Sequence, residues 1–253
     1  MDWRARGIGL RVGGHRGSSA AAPENTFAAF ERAEEDGAAY VETDIRRTAD
    51  GALVLLHDSS LDRTTEGHGL VADASLDAIR GLDAGRWFGE AFRGQRIPEL
   101  SAFLRWIEAR RSLGAALEVK ASGVGGEVAE LAWSSPARDR LAIYSFLLDE
   151  IRAAKAKAPS LPCLLLLEMT ADPGEVMGRI DTCGADGADV PWQWDARSLL
   201  AEMRQRGLLL GGGTAGGPEA AARLVELGVD LIDTDRPAEM LAALREMPDA
   251  VRP

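Results

Sequence analysis

Apolar residues recur along the chain at two spacings, and the alternation between them predicts an architecture. Leu100, Phe103, Leu104 and Ile107 fall at i, i+3, i+4 and i+7, one face of an amphipathic helix. Between segments of this kind lie short, nearly continuous apolar runs at 11–15, 40–45, 115–120, 141–145, 162–167, 186–190, 208–211 and 230–234. Runs this short read as strands buried on both faces. Gly37, Gly114, Gly184, Gly207 and Gly228 each precede a run, and each reads as a helix C-cap in the left-handed conformation that glycine tolerates. Pro98, Pro173, Pro218 and Pro237 fit the first turns of helices. Strands alternating with helices imply a parallel sheet with helices outside, and eight strands close a (β/α)₈ TIM barrel.

One further run, 52–57, follows strand 40–45 across Thr48-Ala49-Asp50-Gly51, which is too short for a parallel crossover. Asp-Gly between two apolar runs predicts a β-hairpin extension. With Asp50 and Gly51 as a two-residue turn, Asp44 faces His57, while Glu42 and Asp44 share one side of their strand. Residues 59–96 then form an insertion after the second barrel strand, with Trp87, Phe88 and Phe92 as its aromatic anchor. No linker divides the chain, so residues 1–253 read as a single barrel domain.

Composition narrows the partners. At 46% hydrophobic residues the chain can fill a core, and a net charge of −11 opposes nucleic acid. The first seven residues lack the apolar stretch of an export signal, and no run approaches a membrane span. A cytoplasmic protein is expected. Cys163 and Cys183 lack CxxC spacing and read as buried thiols.

Candidate chemistry gathers at strand ends, which face the active site in such a barrel. His15 and His57 both end apolar runs, whereas His68 lies in a glycine-flanked loop and is expected in solvent. Glu42, Asp44 and Glu118 sit on barrel strands, where an unpaired carboxylate is costly. Salt bridges to Arg16 and Lys120 would leave one of the three carboxylates without a cation. An all-oxygen set selects a hard divalent ion, Mg²⁺, Ca²⁺ or Mn²⁺. Arg16 and Lys120 are then available to a phosphate. Two histidines beside a metal suit phosphoryl transfer, one taking a proton from the nucleophile and the other protonating the leaving oxygen.

These residues lie in His15-Arg16-Gly17, Pro23-Glu24-Asn25-Thr26, Glu42-x-Asp44, His57-Asp58 and Glu118-x-Lys120. Together with Leu61-Asp62-Arg63-Thr64-Thr65-x-Gly67-x-Gly69, Ser145-Phe146 and Thr234-Asp235-x-Pro237, they resemble the glycerophosphodiester phosphodiesterases. The resemblance implies hydrolysis of a small glycerophosphodiester to glycerol 3-phosphate and an alcohol. It gives the acid/base roles to His15 and His57, the metal to Glu42, Asp44 and Glu118, and phosphate contacts to Arg16 and Lys120. Where that family carries Trp-Thr-Val-Asn after the seventh strand, this chain has Gly213-Thr214-Ala215-Gly216. Loss of the ring predicts an opened pocket with little discrimination among headgroups. Trp87, Ser145, Glu168, Trp192 and Gly213 complete the candidate pocket wall. A rival reading takes Gly211-x-Gly213-x-x-Gly216 as a dinucleotide fingerprint, but no second βαβ half follows it. Two further rivals keep the same barrel: a non-catalytic binding protein, and a phospholipase acting on whole lipids.

Overall fold

The computed structural model describes Trp3 and residues 10–195 and 197–247. The reading of the first seven residues lies, Trp3 apart, outside the described residues. Among the described residues nine strands run in order: β1 (Arg11–Gly14), β2 (Tyr40–Arg47), β3 (Leu53–Leu55), β4 (Gly114–Val119), β5 (Leu141–Ser145), β6 (Cys163–Leu166), β7 (Gly187–Pro191), β8 (Leu209–Gly213) and β9 (Leu231–Thr234). All but β3 pair in parallel around a ring, and the β1–β2 pairing closes it into an eight-stranded barrel. Among the described residues the α-helices are α1 (Phe27–Glu35), α2 (Leu76–Arg80), α3 (Leu100–Glu108), α4 (Gly125–Ser134), α5 (Leu148–Lys157), α6 (Val176–Cys183), α7 (Arg197–Gln205), α8 (Gly217–Leu227) and α9 (Pro237–Glu246). All except α2, which lies in the insertion, alternate with the barrel strands. This is the TIM architecture that the periodicity predicts.

Two apolar layers hold it. The larger lies between strands and helices and includes Phe30, Phe103, Ile107, Ile143 and Leu224. The smaller fills the barrel's lower interior with Tyr40, Ala116, Ala142, Tyr144, Leu164 and Leu209, and Trp3 packs 4.9 Å from the Tyr40 ring. Cys163 and Cys183 are buried and not disulfide-bonded. Among the described residues no helix is long and apolar enough to cross a membrane.

Several local expectations change. Gly184 and Gly228 cap α6 and α8 with left-handed φ, and Gly37 and Gly207 follow α1 and α7 with left-handed φ. Gly114 is no cap: it is the first residue of β4, paired with Tyr40. Pro98 stands before the α3 N-cap, Glu99, and its carbonyl accepts a hydrogen bond from the Leu55 N–H. β8 runs on through Gly213, two residues beyond the expected end.

The hairpin also forms in a different register. Ile45 pairs with Leu55 and Arg46 with Val54, so Asp44 lies opposite Leu56 and not His57. The cause is Gly51: its N–H donates to the Thr48 carbonyl and its φ is +89°, so three residues, not two, make the loop. The insertion builds a small core from Leu61, Val71, Ile79 and Ala84 against Val54, Leu56 and Ile97. Trp87 contacts Phe88 edge-on and Phe88 contacts Phe92, a ring cluster within the insertion that belongs to none of the buried cores, and Trp87 is exposed.

Candidate active site

The top of the barrel opens into a cavity of about 430 Å³ lined by His15, Arg16, Glu42, His57, Glu118 and Lys120, among others. His15 follows β1 directly, and its N–H donates to the Thr234 carbonyl. Arg16 and Asn25 adopt positive φ, 56° and 57°, which is uncommon away from glycine and costs backbone energy. The turn at Arg16 aims its backbone N–H at Glu42 Oε2, 2.9 Å away. The Asn25 side chain spans the Asp44 region, donating to Asp44 Oδ2 at 2.7 Å and accepting from Thr43 Oγ1 at 2.7 Å.

Parallel register places Asp44 beside Glu118, and alternation along β2 turns Glu42 to the same side. Each of Glu42, Asp44 and Glu118 is buried and offers an oxygen within 4.8 Å of the other two. Lys120 Nζ lies 2.7 Å from Glu118 and 3.2 Å from Asp44, and Arg16 Nε lies 3.3 Å from Asp44. Burial would raise Asp44, but Lys120 and Arg16 hold it below the usual carboxylate range. Glu118 is pushed up to about 7 by burial and the Asp44 charge, against Lys120. Burial and the Asp44 and Glu118 charges push Glu42 well up, and its Oε1 has no hydrogen-bond partner. Three buried carboxylates with one orphaned oxygen fit a hard divalent ion. Sequence reasoning left Arg16 and Lys120 to an anion, yet both are ion-paired to carboxylates here, Arg16 also to Glu24 at 3.0 Å. Such pairing is what two cations do beside three buried acids.

Each histidine has a carboxylate behind it. His15 Nδ1 lies 2.7 Å from Asp235 Oδ1, and His57 Nδ1 lies 2.7 Å from Asp58 Oδ1. A carboxylate at Nδ1 fixes the tautomer and leaves Nε2 for proton transfer. Register does not place His57; Arg46 does, by donating two hydrogen bonds to its carbonyl at 3.0 and 2.6 Å. Arg63, in the insertion, donates to Asp58 at 2.6 and 3.0 Å and to both oxygens of Glu24 at 2.7 Å. The insertion therefore steadies the carboxylate behind His57. Burial lowers the His57 pKa despite the nearby Asp44 and Asp58. His68 is exposed beside Asp62, as expected.

The expected pocket wall is only partly present. Glu168 and Gly213 line the cavity, with Phe146, Met169 and Gln193. Ser145 does not line it: its hydroxyl donates to the Val119 carbonyl and accepts from the Leu147 N–H, a purely structural role. Trp87 lies over the insertion, its Nε1 donating to the Ala84 carbonyl, and Trp192 lines a separate groove beside α8. Neither tryptophan occupies the space beside Gly213. Asp189 does.

Asp189 on β7 and Asp233 on β9 lean over β8 from its two sides, where Gly211 and Gly213 leave room. A Cβ on Gly213 would lie 3.0 Å from Asp189 Oδ1 and 3.4 Å from the Asp233 Cβ. Asp189 Oδ1 accepts from the Gly213 N–H at 3.0 Å, so the end of β8 already holds a carboxyl oxygen from within the protein. Burial and Asp233 push Asp189 well above the usual range, and burial raises Asp233 to about 6. Sequence reasoning missed both. Aspartates close to the ends of runs 186–190 and 230–234 were the available signal.

Residues 15–239 match the glycerophosphoryl diester phosphodiesterase family. The chain is 34% identical over 239 residues to the glycerophosphodiester phosphodiesterase of Caldanaerobacter subterraneus subsp. tengcongensis, covering 92% of this chain and 96% of that one. It is 30% identical over 244 residues to a Bacillus subtilis glycerophosphodiester phosphodiesterase, covering 88% and 82% respectively. The glycerophosphodiester phosphodiesterase structure from Agrobacterium tumefaciens superposes with a TM-score of 0.79 at 30% identity, over 92% of this chain and 99% of that one. An Oleispira antarctica phosphodiesterase, solved with its product sn-glycerol-3-phosphate, superposes with a TM-score of 0.86 at 27% identity, over 94% and 98%.

Proposed function

The chain belongs to the glycerophosphoryl diester phosphodiesterase family, and from that premise we propose a metal-dependent hydrolysis with His15 and His57 as the proton-transfer pair. The observation that carries the reading is the convergence in one cavity of three buried carboxylates and two histidines, each histidine backed by its own carboxylate. Glu42, Asp44 and Glu118 would hold one divalent ion, Mg²⁺, Ca²⁺ or Mn²⁺, whose chemistry is Lewis-acid activation of a phosphoryl oxygen.

The protein's own groups do the rest. Arg16 and Lys120 line the cavity and supply the positive charge nearest a bound phosphate. One imidazole Nε2 accepts the proton of the attacking hydroxyl, and the other donates a proton to the oxygen of the departing alcohol. The P–O bond to that alcohol breaks, one water is consumed overall, and glycerol 3-phosphate remains. The Oleispira relative holds this product, which supports retention of the glycerol phosphate half. The insertion serves the same domain through Arg63, which pins Asp58 and Glu24.

Hydrolysis of a panel of glycerophosphodiesters, read as glycerol 3-phosphate released with and without EDTA, tests the proposal. Release that survives EDTA refutes the metal, and no release with any of the three ions refutes the reaction. Asp235→Asn and Asp58→Asn test the backing carboxylates. Each removes a charge-assisted hydrogen bond worth about 1.5–3 kcal/mol, so kcat should fall about 10–100-fold. An unchanged kcat in steady-state assays would remove the residue from this role.

A further inference from the structure

Across β1 from the carboxylate cluster, Asp189 and Asp233 line the same cavity, and among the described residues no cation is ion-paired to either. Their side chains are more than nine-tenths buried, and Asp189 Oδ2 and Asp233 Oδ1 have no hydrogen-bond partner. Arg16 and Lys120, the cavity's cations, are engaged by Glu24, Asp44 and Glu118. Tyr144 is 1% exposed and lines the cavity, with its hydroxyl beside that of Tyr40 and close to both aspartates. Buried acceptors such as these two carboxylate oxygens are costly when unpaired, unless something completes them.

We propose that Asp189 and Asp233 form an acidic subsite that binds a primary ammonium group on the departing alcohol, making amine-bearing headgroups the preferred substrates. The inference rests on the phosphodiesterase reading above and names its substrate class. The chemistry excludes the other occupants. Among the described residues only Glu42, Asp44 and Glu118 assemble as a three-ligand metal group, so this pair lacks the ligands for a second ion. A phosphate is repelled, since the Gly213 N–H that could bind it is taken by Asp189. A hydroxyl headgroup satisfies acceptors but leaves the charge, and a quaternary ammonium offsets charge but has no N–H to donate. A primary ammonium does both, with three donors for the two open carboxylate oxygens. Asp233 pairs with Gly13, two residues before His15, so a two-carbon headgroup on a phosphate at His15 lies beside it. The space left by Gly211 and Gly213 is thus rebuilt as an acidic wall. The non-discriminating pocket expected from the glycines alone is replaced by a selective one.

The test compares three diesters that share one half: glycerophosphoethanolamine, glycerophosphocholine and glycerophosphoglycerol. Wild-type kcat/KM should favour the ethanolamine ester over the glycerol ester by about 10–100-fold, the worth of a charge-assisted hydrogen bond, with choline below ethanolamine. Asp189→Asn and Asp233→Asn should each collapse that ratio toward one. Thermal denaturation identifies any variant that fails to fold, and the other then carries the comparison. Calorimetric binding of the same diesters to the metal-loaded protein gives a readout independent of turnover. A wild type that turns over or binds the glycerol ester as well as the ethanolamine ester overturns the subsite, as does a ratio preserved in a folded variant. Absence of turnover on all three would sink the phosphodiesterase reading, while the binding ratios would still decide for or against the subsite.

Discussion

Substituting Glu118 with glutamine should abolish divalent-ion binding and reduce glycerophosphodiester hydrolysis by at least about a thousandfold, or about 4 kcal/mol of transition-state stabilisation. Glu42 and Asp44 alone cannot enclose a hard ion, and Lys120 would turn wholly to Asp44. The same substitution should have the opposite effect on the stability of metal-free protein. Glu118 stands at about 7 in the fold against an ordinary value of 4.5. A carboxyl raised in this way contributes stability that is fully present below pH 4.5 and is lost as pH rises to about 7. In EDTA, therefore, the wild type should become less stable than Glu118→Gln across that window, by on the order of 1–3 kcal/mol at pH 8. Urea denaturation at pH 4.5 and pH 8 measures the difference, and calorimetry with Mn²⁺ measures the ion. Full activity of the variant in EDTA would disprove the metal assignment. A stability gap that did not open with pH would show that burial and Asp44 do not raise the Glu118 carboxyl in the fold.

Alanine at His15 or at His57 should lower kcat by about 10²–10⁴ while the fold survives, because both lie at the cavity and outside the packed layers. The two losses should respond differently to the substrate. With a good leaving group such as a nitrophenolate, the departing oxygen needs little protonation, so the variant lacking the acid recovers and the variant lacking the base does not. A near-normal kcat on an unactivated diester in either variant would exclude that histidine. Equal recovery of both variants would mean that neither protonates the leaving oxygen.

Much of this protein is legible along the chain. The alternation of apolar runs with helical spacing determined the eight-stranded barrel, because burial on both faces of a strand and one face of a helix is written locally. Strand periodicity likewise put Glu42 and Asp44 on one side, and the motif around His57 and Asp58 kept its orienting carboxylate within one residue. Tertiary structure decided what depends on non-local partners or on backbone choices with small energy differences. One residue of turn length at Gly51 moved the hairpin register, so His57 reaches the site through Arg46 instead of across the ladder. Arg63 meets Glu24, 39 residues away in the chain, and Asp235 meets His15 across 220. Ser145, Trp87 and Trp192 are types suited to a pocket wall, but their direction was set by packing that no local pattern records. The glycines of β8 read as an empty place in the sequence. Only the closed barrel brings Asp189 and Asp233 from the two flanking strands into it, because neighbours across a parallel sheet are separated by a whole helix in the chain.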